Sequence, residues 1–175
     1  MRRLADLEEK HEPRGMSAMS GKQKRDAKSR IPGADEWRGY ESDLDVKYAH
    51  KLFFGKSVAE VQEYFGSSQS IERADELLFM PRAAFQYYVL AFAMFIRSDQ
   101  AIGDSDSASS FLRLLINREK KDAGSVSTIY LSLQDTVELV ASHQQDFDAD
   151  IDIYGNFPEL ANEIHELVGA APRPT

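Results

Sequence analysis

The stretch richest in groups able to do chemistry is Asp146 to Glu159, DFDADIDIYGNFPE, in which Asp146, Asp148, Asp150 and Asp152 recur at every second position. Counted from Asp148, it supplies oxygen ligands in the order of a calcium loop: Asp148, Asp150, Asp152, the Tyr154 carbonyl, Asn156 and Glu159. The backbone requirement fails. The sixth position needs glycine for its sharp turn and holds Ile153, while the eighth, normally apolar, holds Gly155. Each ligand also has another use. The aspartates alternate with Phe147, Ala149, Ile151 and Ile153, the period of an extended edge with one dry face. Glu159, three residues after Asn156, fits a capping box with Pro158 in the first turn. No metal is assigned on this reading. Four carboxylates projecting from one side repel each other unless a cation or a Lys/Arg-rich surface neutralises them. Asp146, Asp148, Asp150 and Asp152 are therefore assigned to a contact surface for a basic protein partner, against the alternative of a solvated acidic loop.

Other chemistry is sparse. His11, His50, His143 and His165 include no pair four residues apart, so a helical metal pair is absent. GSSQS and GSVS lack the strand-to-helix elbow of a nucleophilic serine, and neither a dinucleotide fingerprint nor a phosphate loop occurs, so no cofactor is implied. Tyr87 and Tyr88 are adjacent in an aromatic segment and point about 100° apart on a helix. They define the alternative functional reading, a small-molecule-binding or enzymatic helical domain with its pocket beside these rings.

Composition narrows the class. With 175 residues the chain can bury one proper core, and with no cysteine it has neither disulfides nor thiolate chemistry, which favours a reducing cytoplasm. The N-terminal arginines have no apolar run behind them, unlike a secretory signal, and no stretch reaches the ~20 apolar residues of a membrane span. Met1 to Gly39 holds ten basic and seven acidic residues, net +3, which leaves 11 basic and 22 acidic residues, net −11, in the remainder of a chain whose total is −8. An acidic body disfavours nucleic acid and suits a basic protein partner.

The elements that must position these groups are helical. Residues 1–39, with their glycines, prolines and basic run from Lys22 to Arg30, read as a flexible basic leader; 40–169 as a single helical domain; 170–175 as a proline-rich tail. Leu44, Tyr48 and Leu52 mark a first amphipathic helix closed by Gly55. Ser57 and Glu60 form a capping box ahead of Val58, Val61 and Phe65, and Ile71, Ala74, Leu77 and Leu78 share the face of a third helix. Pro81 to Ile96, PRAAFQYYVLAFAMFI, is apolar almost all round and predicts a central core helix running to about Ser98. Further helices are expected from about Asp106, over Val126 to Val140 as one stripe, and over Phe157 to Val168. The expected fold is all-α, an irregular bundle of about six or seven helices around the apolar segment 81–98.

LFFGKSVAEVQEYF followed by ELLFMPRAAFQYYVLAFAMFI resembles small all-helical bacterial proteins of unknown function, some of which accompany toxins as immunity proteins. The resemblance covers roughly residues 50 to 97 and implies a cytoplasmic, non-enzymatic binding protein whose acidic surface blocks a toxin. It supplies no catalytic position.

Overall fold

The computed structural model describes residues 30–170, and within them the chain is all-helical. Eight α-helices occur among the described residues: α1 (Leu44–Phe53), α2 (Val58–Gln62), α3 (Ser68–Phe79), α4 (Arg82–Ile96), α5 (Ser105–Lys121), α6 (Gln134–Ser142), α7 (Ile151–Tyr154) and α8 (Phe157–Ala170). No helix among these residues is long and apolar enough to cross a membrane. The leader up to residue 29 and the tail from 171 lie outside the described residues.

The expected boundary at residue 39 falls inside the folded part. Trp37 is fully buried, its ring edge-on to His50 at 5.1 Å between centroids and 6.1 Å from Tyr88. Composition misplaced it because one tryptophan buries enough apolar area to anchor the polar turn around it.

Start and stop signals in the sequence are met locally. Ser57 Oγ accepts from the Glu60 amide while Glu60 Oε2 accepts from the Ser57 amide, the reciprocal capping box, and Asp43 caps α1 through the amides of Asp45 and Val46. Gly55, read as a stop, has φ of 75°, and Gly124, soon after α5, has φ of 96°.

The expected apolar helix α4 lies in the core, and α5 shares the centre with it. α4 buries Ala84, Phe85, Tyr88, Val89, Ala91, Phe92, Ala93, Phe95 and Ile96, packs on α2, and also meets α3, α5 and α6. It nevertheless keeps a narrow outer stripe, with Ala83 and Met94 exposed and Tyr87 and Leu90 half-buried. α5 lies between α3 and α8 and is buried despite its polar composition. Its serines Ser107 and Ser109 let neighbouring helices approach, while Phe111, Leu112, Leu115 and Ile116 fill the core as expected.

The stripes on α1 and α3 rotate by about one position. On α1 the buried residues are Ala49 and Phe53, whereas Leu44 is 84% and Tyr48 55% exposed. On α3 they are Ser70, Ala74, Glu76 and Leu77, with Ile71 outside. Of the stripe from Val126 to Val140, Val126, Leu133, Val137 and Val140 are buried and Ile129 and Tyr130 half-buried, but its first half, Ser127–Ser132, is a 3₁₀ segment and only Gln134–Ser142 is α-helix. The reason lies in a buried carboxylate: Glu119 accepts from the amides of Gly124, Val126 and Ser127, and Thr128 donates back to the Gly124 carbonyl. These bonds hold the segment in a tighter winding than an α-helix.

Arg118 fixes the junction of α3, α4 and α5. Its guanidinium, 3% exposed as a residue, donates to the Leu78 and Met80 carbonyls at the end of α3, to Ser125 Oγ and to Asp122, and lies 4.8 Å from the centroid of the Phe85 ring. Asp122 also accepts from Arg82 at the start of α4 and from Ser125. The Arg82 hydrogen bonds hold the Asp122 carboxyl down at about 2 against the opposing effect of burial. Replacing a buried charge by a neutral side chain orphans its partners. Arg118→Met is expected to cost roughly 3–5 kcal/mol in urea unfolding. Asp122→Asn should destabilise at pH 7, and the deficit should vanish as pH falls from about 4 through about 2, where the wild-type carboxylate is itself protonated. A deficit unchanged at pH 2 would show that the ionised form is not what matters.

Candidate functional site

The acidic stretch connects α6 to α8, and it is not an extended edge. Gln144–Phe147 is a 3₁₀ turn, Asp148 adopts a left-handed conformation at φ 53°, and α7 follows, capped by the Asp150 side chain on the Asp152 amide. The expected alternation survives only in its first half. Phe147 and Ala149 are buried, but the helical turn swings Ile151 and Ile153 outward to 59% and 74% exposure. A period of two persists only while the backbone stays extended.

The four aspartates are all exposed but do not share one side. Asp146, Asp150 and Asp152 line a cleft of about 730 Å³ together with His143, Gln145, Ile151 and Pro158. Asp148 points elsewhere: a Cβ on Gly103 would meet its Oδ2 at 3.4 Å. The ligand order of a calcium loop does not fold into one. The Tyr154 carbonyl accepts from Arg113 Nη2 at 2.9 Å and Asp150 serves its own helix. Among the described residues no three His, Cys, Asp or Glu side chains are grouped to hold a metal ion.

Hydrogen bonds within the loop and from neighbouring elements hold its backbone. Gln144 donates to the carbonyls of Ala149 and Gly155 and accepts from the Phe157 amide. The Gly103 amide donates to the Asp146 carbonyl at 2.8 Å, and the Tyr154 hydroxyl donates to Asp106 at 3.0 Å. Asn156 Oδ1 accepts from the Glu159 amide at 3.2 Å, the cap read in the sequence. Gln144 and Arg113 had no motif to reveal them, since both act on backbone groups 5 to 41 residues away. Carboxylates and two exposed isoleucines are displayed on a hydrogen-bonded backbone, and Ser142 and His143 line the same cleft with Oγ and Nδ1 2.8 Å apart.

Tyr87 and Tyr88 lie edge to face, their centroids 5.0 Å apart. Tyr88 is fully buried, and its hydroxyl lies within hydrogen-bond distance of the Phe53 and Lys56 carbonyls, 2.7 and 3.2 Å away. Burial pushes its pKa up, and the group is committed to joining α4 to the end of α1. Tyr87 is half-buried on the outer stripe of α4.

Two further clefts carry polar groups. Between the starts of α3 and α5, a cleft of about 420 Å³ is lined by Gly66, Ser67, Asp104 and Ser105 among others. Two helix N-termini there invite an anion, but the carboxylate of Asp104 already takes the amides of Ser67 and Ser107. Between α1 and α3, a cleft of about 300 Å³ is lined by Asp45, Tyr48, Asp75, Glu76 and Phe79. Burial pushes Glu76 up to about 7; Arg73, 3.1 Å away but poorly aligned for a hydrogen bond, opposes this, and Glu72 and Asp75 add to it.

Gln144→Ala is expected to cost roughly 1–3 kcal/mol, as buried partners lose their bonds. Amide exchange should accelerate selectively over 144–157; an unchanged exchange pattern would count against Gln144 as the organiser. Glu76 is neutral in the unfolded chain only below about 4.5 but stays neutral to about 7 when folded, so its ionisation destabilises the fold as pH rises through that window. Glu76→Gln should therefore raise the melting temperature at pH 8 and leave it nearly unchanged at pH 4, and an equal shift at both would refute the assignment. No family model matches this chain, and no curated protein or solved structure matches it.

Proposed function

We propose that the protein is a non-enzymatic binding protein of the cytoplasm, whose contact surface is the 144–158 loop and whose partner is a basic protein. The observation that carries this reading is the display of Ile151 and Ile153, 59% and 74% exposed, among aspartates on a backbone locked by Gln144. A prearranged surface loses little entropy on docking, and exposed aliphatics supply the apolar centre that carboxylates alone lack. The carboxylates set the sign of the partner and speed its encounter. Neutralisation of a basic toxin by a small helical bacterial immunity protein is the form of this function that the resemblance over residues 50–97 favours.

The test is capture from native lysate at low salt. A specific basic partner should be retained at about 50 mM salt and released near 0.5 M, where screening shortens to a few ångströms. Replacing Asp146, Asp148, Asp150 and Asp152 together by asparagine should abolish retention, and expression of the captured partner should be toxic unless this chain is co-expressed. Absence of any specific partner at low salt, or retention indifferent to the four substitutions, would overturn the proposal.

A further inference from the structure

The outer face of α1 is an apolar groove with a positive rim. Leu44 is 84% and Tyr48 55% exposed, and with Tyr40, Lys47, His50 and Lys51 they line a cleft of about 430 Å³. Its floor is rigid. The His50 ring stacks on Tyr40 at 3.7 Å and on Phe54 at 4.4 Å, with Trp37 closing the other edge. Burial in this stack lowers the His50 pKa, so at neutral pH the positive charge at the groove resides on Lys47 and Lys51. Neither lysine is ion-paired among the described residues.

The same molecule carries, elsewhere on its surface, exposed aliphatic side chains beside groups of the opposite charge. α7 presents Ile151 and Ile153 to solvent beside Asp150 and Asp152, which are likewise without an ion-pair partner. Groove and knob are both open within one chain, so they do not satisfy each other internally. Across two copies, the aliphatic side chains would meet the aromatic floor and the aspartates the lysine rim. Rigidity on both sides reduces the ordering cost of association.

We propose that the chain self-associates head to tail, with Ile153 and Asp152 on α7 of one copy seated in the Leu44–Tyr48–Lys47–Lys51 groove of a second. This rests on the reading of the 144–158 loop as a contact surface and names a second copy as an occupant that loop accepts. The contact is heterologous, since each copy offers one groove and one knob, so growth proceeds to a closed ring or an open chain rather than stopping at a two-fold dimer.

Sedimentation velocity on the full chain, over about 5 to 500 µM at about 50 mM salt, spans the range expected for a small interface. The wild type should show a sedimentation coefficient rising with concentration and falling back on adding salt. Two exposed-site variants break opposite halves: Lys47→Glu with Lys51→Glu spoils the groove, and Asp152→Ser with Ile153→Ser spoils the knob. Each alone should stay monomeric at every concentration, with an unchanged circular dichroism spectrum. Mixed in equal amounts they should form a 1:1 complex and nothing larger, because one intact groove meets one intact knob. A wild type monomeric throughout, a dimer insensitive to either variant, or a mixture without complex would each overturn the proposal. Lysate capture through the aspartates would still stand in those cases. Conversely, head-to-tail assembly without any captured partner would remove the proposed function and leave this inference intact.

Discussion

A guanidinium surrounded by helix ends is the constraint on which this bundle depends. The C-terminal carbonyls of a helix have no partner within it, and Pro81, two residues after α3, offers no amide. Arg118 supplies the missing donors to Leu78 and Met80 from the neighbouring helix α5. Its charge is balanced by Asp122, and Asp122 in turn binds Arg82 at the start of α4. One charged chain of contacts thus sets where α3 stops, where α4 starts and where α5 ends. The apolar faces then meet at the angles these fixed ends allow.

The same logic of borrowed polar groups recurs at the loop. Glu119 shapes the turn after α5, Gln86 Nε2 reaches the Ser125 carbonyl and the Thr128 hydroxyl, and Gln144 organises the acidic connection. None of these side chains contributes much apolar burial. Their effect is directional: each converts a stretch without regular secondary structure into one with a fixed backbone, which is what lets exposed isoleucines and aspartates be a surface rather than a fluctuating tail.

How much of this could be read from residue order depends on the range of the interaction. The Ser57–Glu60 box, the glycine stops and the density of aromatics in α4 are local or compositional, and the all-helical bundle follows from them. The rotation of α1 is not local. Leu44, Tyr48 and Leu52 form as good a stripe as Val46, Ala49 and Phe53, and the choice falls to the second because small Ala49 allows close approach and Phe53 reaches the Tyr64 and Tyr88 rings. The acidic stretch showed its charge plainly and its conformation not at all. A period of two in Asp146 to Ile153 was overridden by the Asp150 cap, which wound the second half into a helical turn. The role of Arg118 is hidden for the same reason: the two carbonyls it binds at the end of α3 lie 38 and 40 residues away.

Ser67 departs from glycine's preserve with φ of 48°, and its amide is held by Asp104 at 2.6 Å. The Ser107 amide and hydroxyl bind that same carboxylate, and the Ser107 hydroxyl lies 2.6 Å from Ser70 in the first turn of α3. The opening turns of α3 and α5 are therefore latched by one residue and cannot fray independently. Local melting at that end of the bundle is a single concerted event, released in full or not at all.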